Sequence, residues 1–348
     1  MRFFEGGRLK RAKLVTAAVL TASGTFAVYA AGNAGAAAPK LTSIDVGIAL
    51  SPPKAVFFAP YVAQAMGFFK QEGLKVNLIS MPNGLSTELG ATSGSINFGM
   101  SSATDSVEAA AAGAPIHAIA SYGTTLDTEC VALPGFTTAA ELKGQAVGTT
   151  GAGGFAGTTL AACLKPLGLT LNDVNPIVMT RSQFPGAMAS GSIKLAAFHT
   201  DDAYVVLHSI PGTKVIDKQY QTLPNWWYGG ISSLDSYTAA HPLVTEHFLA
   251  ALIMADNWMN DPHHTNQLIN MGVKWSGESR AAVDYAVHFL LRAKSYSTAV
   301  LPAMVNWTSQ ECVTVGDITA PAPTYSQIVN TKYLKVATQM VAKMKFKG

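Results

Sequence analysis

Apolar and polar positions alternate weakly over Ile44–Leu50 and stop at Ser51-Pro52-Pro53, which predicts a short β-strand closed by a turn. From Phe57 to Lys70 the apolar spacing becomes helical (Phe57, Tyr61, Ala65, Phe68), and Gly73 fits the stop. The pattern then repeats. Leu74–Met81 reads as a strand ended by Pro82-Asn83-Gly84, Thr87–Ser93 as a short helix and Ile96–Met100 as a strand. Asp105–Ala112 is an Ala-rich helix ended by Gly113, and Ile116–Ser121 is another strand. Strand–helix alternation at this spacing predicts a parallel α/β sheet.

Past Cys130 the alternation restarts. Strands are expected at Cys130–Leu133, Ala146–Thr149, Ile177–Met179, Leu195–Phe198 and Lys214–Ile216. Helices are expected at Ala139–Lys143, Phe155–Leu167 and Gln183–Ser190. After Trp226–Ser232 the chain turns mostly helical, notably at His241–Met259 and Ser279–Arg292. Two α/β blocks in series with a helical tail predict two lobes, joined by strand-like stretches near 122–132 and 225–232. The corresponding division is 41–128 for the first part of lobe 1 and 129–224 for lobe 2. Residues 225–348 then form the return crossing, the rest of lobe 1 and the C-terminal helices.

Composition narrows the class. With 348 residues, 49% apolar and only 13% charged, the chain can bury a large core and is neither disordered nor a coiled coil. The net charge of +3 has a local source: residues 1–38 hold Arg2, Arg8, Lys10, Arg11 and Lys13 against Glu5 alone. The remainder carries 19 basic and 20 acidic residues, so no basic surplus awaits a nucleic acid. Those bases precede an apolar run from Leu14 to Ala31 and small residues at Ala34-Gly35-Ala36 and Ala36-Ala37-Ala38. The order is that of a cleaved signal peptide over residues 1–38, the alternative being a membrane anchor of marginal length. No later stretch is long and apolar enough to span, so the exported remainder is expected to be soluble. Export permits disulfides among Cys130, Cys163 and Cys312, but an odd count leaves at least one thiol over, and spacing does not choose the pair.

The segments "IDVGIALSPPKAVFFAPYVAQAMGFFKQEGLKVNLISMPNG" and "SINFGMSSATDSVEAAAAGAPIHAIASYG" resemble the nitrate, sulfonate and thiamine-precursor group of periplasmic solute-binding proteins. The shared elements are the helix end at Gly67-Phe68-Phe69 with Glu72-Gly73-Leu74, the strand at Phe98-Gly99 and the turn at Ala111–Ile116. "ELKGQAVGTTGAGG" (Glu141–Gly154) resembles the strand entering that group's second lobe, and "AAHPLVTEHFLAALIMADNWM" the helix after the return crossing. The likeness runs over about residues 42–260. It implies a two-lobed type II periplasmic binding protein fold with two interlobe crossings. It also implies a periplasmic, monomeric, non-catalytic protein that hands a small solute to the permease subunits of an ABC importer. Ala303–Lys332 has no counterpart in the resemblance.

In open α/β sheets ligands lie beyond the carboxyl ends of the strands, which selects a short set of loops. These hold Ser51, Phe57 and Phe58 after the first strand, Asn83 after the second, and Ser101 and Ser102 after the third. Thr149, Thr150, Gly151, Gly153, Gly154 and Phe155 join a strand to a helix start, where free amides suit an anion or a polar oxygen. The plainer alternative is an ordinary Gly-rich turn. Its match to a relaxed dinucleotide fingerprint lacks an acid at the end of the next strand, since Asp173 comes too early. Ser101 and Ser102 serve either the ligand or the cap of the helix at Asp105. Of Phe57 and Phe58, one is expected to face the cleft and the other the core.

His199 and Asp201, with Thr200 and Asp202, follow the strand Leu195–Phe198, where they either bind an amine, amidine or hydroxyl or cap the next helix. Arg181 is the nearest cation for an acidic solute. In Asn225-Trp226-Trp227-Tyr228, Trp226 or Trp227 is expected to face the cleft and stack on a planar ligand, and interlobe packing is the alternative. His263-His264 lacks a metal-ligand partner at helical spacing, and no G-x-S-x-G elbow or C-x-x-C occurs. No cofactor, metal or nucleic acid is therefore expected. The solute classes kept open are pyrimidine-like thiamine precursors, aromatic acids and sulfonates, the first two preferred on the acidic and aromatic residues because the loops offer few cations for a sulfonate. Two other readings remain beside the transport one, an enzyme of the thiamine-pyrimidine type on the same fold and a periplasmic sensor partner.

Overall fold

A computed structural model describes residues 41–151 and 153–344. The expected signal peptide at 1–38 and Ala152 of the glycine loop lie outside the described residues. Ten strands form two five-stranded sheets. They are β1 (Thr42–Ile48), β2 (Leu74–Ser80), β3 (Phe98–Ser102), β4 (Ile116–Gly123), β5 (Thr128–Ala132), β6 (Ala146–Thr149), β7 (Asn175–Val178), β8 (Leu195–His199), β9 (Lys214–Lys218) and β10 (Gly229–Leu234). The first sheet runs β2-β1-β3-β10-β4 and the second β7-β6-β8-β5-β9.

Each sheet departs from the parallel arrangement that the alternation predicts. β10 is antiparallel to both β3 and β4, and β5 is antiparallel to both β8 and β9. The reason is connectivity. Both strands are entered from the other sheet, β5 after 124–127 and β10 after 219–228, where the single helical turn Gln219–Thr222 is too short to serve as a crossover that reverses the chain. Elsewhere strand–helix–strand units keep β1, β2 and β3 parallel, and likewise β6, β7 and β8.

Burial explains which residues build each layer. β3 and β5 are buried along their whole length because helices cover both faces of each sheet. The larger core joins the first sheet to the helix Pro242–Asn260 and to the C-terminal helix Lys332–Lys343 through Phe69, Phe98, Phe248, Leu249 and Leu252. The second sheet carries a smaller cluster on each face, one around Leu160 and Leu195 and the other around Phe184 and Phe198. A disulfide between Cys130 of β5 and Cys163 of the helix Gly154–Leu164 crosses the first of these, while Cys312 is a buried free thiol.

Local signals place the breaks. The helix expected over Phe57–Lys70 is split, because Gly67 takes a left-handed φ of 76° between Phe58–Ala65 and Phe68–Gln71. The helix Ala103–Ala111 starts two residues earlier than Asp105, since Ser102 and Asp105 form a reciprocal capping box. Expected strand Trp226–Ser232 begins only at Gly229, and the three aromatic residues before it belong to the crossing. Among the described residues no helix is long and apolar enough to cross a membrane.

Candidate functional site

Both sheets point the carboxyl ends of their parallel strands at one cavity of about 90 Å³, room for on the order of six waters. Leu50 follows β1, Asn83 and Leu85 follow β2, and Ser102 and Asp105 follow β3. From the second sheet come Thr150, Gly151 and Gly153 after β6, Arg181 after β7 and His199 at the end of β8. Tyr122 and Tyr228, one near the start of each crossing segment and one at its end, complete the wall. The aromatic part of the wall is continuous: Phe57 stacks on Tyr122 at 4.7 Å, and Tyr228 meets Tyr122 edge-on at 5.6 Å and Phe155 at 5.5 Å. Such a lining suits the flat or apolar part of a small molecule.

Of the residues the sequence singles out, the structure brings Phe57, Asn83, Ser102, Thr150, Gly151, Gly153, Phe155 and His199 onto this wall. The others go elsewhere, each for a visible reason. Ser51 is exposed in the turn after β1. Phe58 packs edge-on against Trp275 in the core. Ser101 is buried on the opposite face of β3 from Ser102 and donates to Glu88 Oε2 at 2.5 Å. Thr149 holds the glycine loop from within, its Oγ1 donating to Gly151 O at 2.6 Å. Gly154 is engaged with Glu108, which accepts its N–H at 2.7 Å.

Asp201 does not reach the cavity either. Its Oδ2 accepts Ala55 N–H at 3.3 Å and its Oδ1 accepts the amide of Asp202. The tryptophans also correct the reading, since neither lines the cavity. Trp227 donates from Nε1 to Ser121 Oγ at 3.1 Å and from its backbone N–H to Thr308 Oγ1, while Trp226 packs against Trp307. The helix Pro302–Thr314 covers that side, and the next aromatic residue, Tyr228, takes the position at the cavity.

Charge in the cavity is sparse and unevenly satisfied. Arg181 is buried, sits over the Phe184 ring and donates from Nη1 to Ala197 O at 3.0 Å, leaving Nε without a partner. The hydroxyl of Tyr122 is likewise buried and unpartnered, and burial pushes its pKa well up, so it stays protonated. Both are free donors. Asp105, by contrast, is already held by Ser102, whose N–H and Oγ reach Oδ2 at 3.0 and 2.6 Å. Burial still pushes the Asp105 carboxyl up to about 6. His199 is tied at Nδ1 to buried Asp127 at 2.8 Å, which fixes the ring. The donors thus outnumber the free acceptors, and the open seats are those for a ligand oxygen.

Tyr122, Tyr228, Asp105 and the full part of Arg181 are what sequence reasoning misses. Arg181 was legible as the nearest cation, and Asp105 as the partner in a capping motif, but the two tyrosines carry no local signal. A second carboxylate group, Asp201, Asp202 and Glu278, has ligand atoms within 4.8 Å of one another, the spacing of a cation site. Lys54 already occupies it, with Nζ 2.7 Å from Asp202 Oδ1 and in contact with Glu278.

No curated relative matches the chain in sequence. Among solved structures, the alkanesulfonate-binding protein SsuA from Xanthomonas axonopodis pv. citri, bound to MOPS, is similar with a TM-score of 0.67 at 17% identity, covering 85% of this chain and 100% of that one. The periplasmic nitrate-binding protein NrtA from Synechocystis PCC 6803 gives 0.70 at 14% identity, covering 88% and 90%. A DSZB mutant in complex with biphenyl-2-sulfinic acid gives 0.62 at 13% identity, covering 86% and 99%. At these identities the likeness establishes the fold, that of type II periplasmic binding proteins. The NMT1/THI5-like family model matches residues 54–263, more than half of the sequence, and the chain belongs to that family.

Proposed function

We propose that this protein is the extracytoplasmic solute-binding component of an ABC importer, a non-catalytic monomer in the periplasm that closes two lobes over a small organic solute. The observation that carries the reading is the cavity itself. Its walls come from both sheets at the ends of their strands, and it pairs an aromatic lining with one buried cation whose Nε is unpartnered. An unpaired buried donor is costly, so a ligand oxygen at Arg181 and Tyr122 would recover that cost on closure. Within the classes raised by the sequence, an aromatic acid or a sulfonate fits those donors better than a pyrimidine-like thiamine precursor. The sulfonate and nitrate ligands of the structural neighbours point the same way. Export through the N-terminal segment and docking on membrane permease subunits follow from the same reading.

A binding rather than a catalytic role is favoured by the hydrogen bonds of the one cavity serine. Ser102 Oγ bonds Thr104 and Asp105 rather than His199, so the serine is not held as a nucleophile. Native mass spectrometry of the purified protein tests the reading, followed by calorimetric titration with benzoate, ethanesulfonate and the aminopyrimidine precursor. Release of a stoichiometric organic solute supports it, and a tightly held metal or nucleotide overturns it. Arg181→Ala is expected to weaken binding of an acidic solute at least tenfold and to leave a neutral pyrimidine little affected.

A further inference from the structure

Three carboxylates of the first lobe converge on the start of the second lobe's helix Gly154–Leu164. Asp105 and Glu108 stand three residues apart on Ala103–Ala111 and so share a helix face, and Asp317 follows the helix Pro302–Thr314. Gly154 N–H donates to Glu108 Oε1 at 2.7 Å, and Thr158 Oγ1 donates to Asp317 Oδ2 at 3.0 Å. The approach is close. Gly154 has a φ of 63°, and a Cβ there would stand 2.6 Å from Asp105 Oδ1. Among the described residues none of the three acids forms an ion pair; the nearest one, Lys165 with Glu311 at 2.9 Å, lies farther along the same two helices.

The second lobe therefore meets this cluster with neutral donors only. A helix N-terminus supplies roughly half a unit of positive charge, which does not balance three adjacent carboxylates. Acids packed this closely cannot all ionise, and a shared proton is the remaining means of neutralisation. Glu108 and Asp317 are placed to share it, since a Cβ at Gly153 would stand 3.9 Å from an oxygen of each. When the lobes part, the amide of Gly154 and the hydroxyl of Thr158 withdraw and water returns to the carboxylates.

We propose that this contact is a proton-linked latch: closure of the lobes takes up a proton from solvent on Glu108, beside Asp317, so acid favours the closed form and alkali loosens it, with or without a solute. The inference rests on the preceding reading only in that the two lobes open and close. Burial and then Asp317 push the Glu108 carboxyl up to about 8, and burial holds Asp105 at about 6. A closed-state value above the ordinary 4.5 means that the closed form binds more protons across the window from about 4.5 to about 8. The closure equilibrium then weakens with rising pH inside that window, by at most about tenfold per pH unit for one linked proton.

Other groups around Glu108 do not supply the effect. Glu311 is paired with Lys165, and burial keeps the Cys312 thiol protonated far beyond this range. Glu88 faces Asp105 from the helix Gly84–Thr92, but its partner Ser101 lies in its own lobe. Glu278, at the Lys54 cluster, titrates up to about 8 and adds a slope of its own, so the test reads the change made at Glu108.

Spin labels at Leu89→Cys and Val178→Cys, exposed positions in different lobes, report the interlobe distance in solute-free protein between pH 5.5 and 9. The ratio of closed to open protein is expected to fall at least tenfold from pH 6 to pH 8. Glu108→Gln, neutral at every pH and still able to accept the Gly154 amide, is expected to keep more protein closed at pH 8 and to flatten the slope. Asp317→Asn should flatten it in the same way. A distance distribution that ignores pH overturns the latch, as does a slope unchanged in both variants. Either result leaves solute binding, measured by titration, standing on its own.

Discussion

Two groups of buried and half-buried carboxylates join the lobes, and they are neutralised by different means. At the first, Asp201 and Asp202 of the helix Thr200–Ser209 and Glu278 before the helix Arg280–Arg292 surround Lys54. At the second, the other lobe offers Glu108 a backbone amide and Asp317 a threonine hydroxyl, while Asp105 is held by Ser102 of its own lobe. Burial works against the charge on Lys54, yet Asp201, Asp202 and Glu278 outweigh it and hold its pKa above the ordinary lysine range. A full cation fixed by a side chain keeps its clasp until strongly alkaline pH. A helix terminus offers partial charge alone, and protons must complete the balance. The first clasp is therefore the firmer of the two and the second the more responsive to pH.

The sharpest break is Lys54→Met, which strands buried Asp201 and Asp202 and half-buried Glu278. It is expected to cost about 3–5 kcal/mol of stability at pH 8, read from urea unfolding. The loss should shrink at pH 5.5. Burial raises the Glu278 carboxyl to about 8, so it takes up a proton as pH falls and the stranded charge is reduced; burial pushes Asp202 in the same direction. A loss equal at both pH values would show that Lys54 serves packing rather than charge.

Gly154→Ala probes the second clasp without touching an acid. The left-handed backbone and the approach of Asp105 Oδ1 both oppose a methyl group, and the cost is about 1–2 kcal/mol for the conformation alone. Spin-label distances should shift toward the open form while the second lobe's own disulfide-linked core stays folded. The smallest effect expected is that of Thr158→Val. It removes the hydroxyl that bonds Asp317 and Gly154 O, for about 0.5–1.5 kcal/mol, and it should weaken closure uniformly rather than change its pH slope.

Much of the first lobe is legible from local pattern. The strand and helix starts near Ile44, Leu74 and Ile116 follow from periodicity and from Gly73 and Gly113, signals a few residues long, whereas the break at Gly67 falls inside the helix the spacing predicts. The cavity loops are legible for the same reason, since they are the segments after parallel strands. What is not legible is which side chain a loop offers to the cavity. Trp227 and Tyr228 are neighbours in one crossing, and only the helix Pro302–Thr314, some eighty residues away, decides that the tryptophan is covered and the tyrosine left facing in. Asp201 reads as a site acid until Ala55, from the other lobe, takes its oxygen.

The sequence by itself determined the two α/β blocks, the family likeness and the loops that face the cleft, because each depends on spacing within a short window. Tertiary structure decided the antiparallel strands β5 and β10, the pairing of Cys130 with Cys163, and the partners of every buried charge. Lys54 meets Glu278, and Glu108 meets Gly154, across separations that no local period spans. Their energies exist only once the lobes exclude water between them.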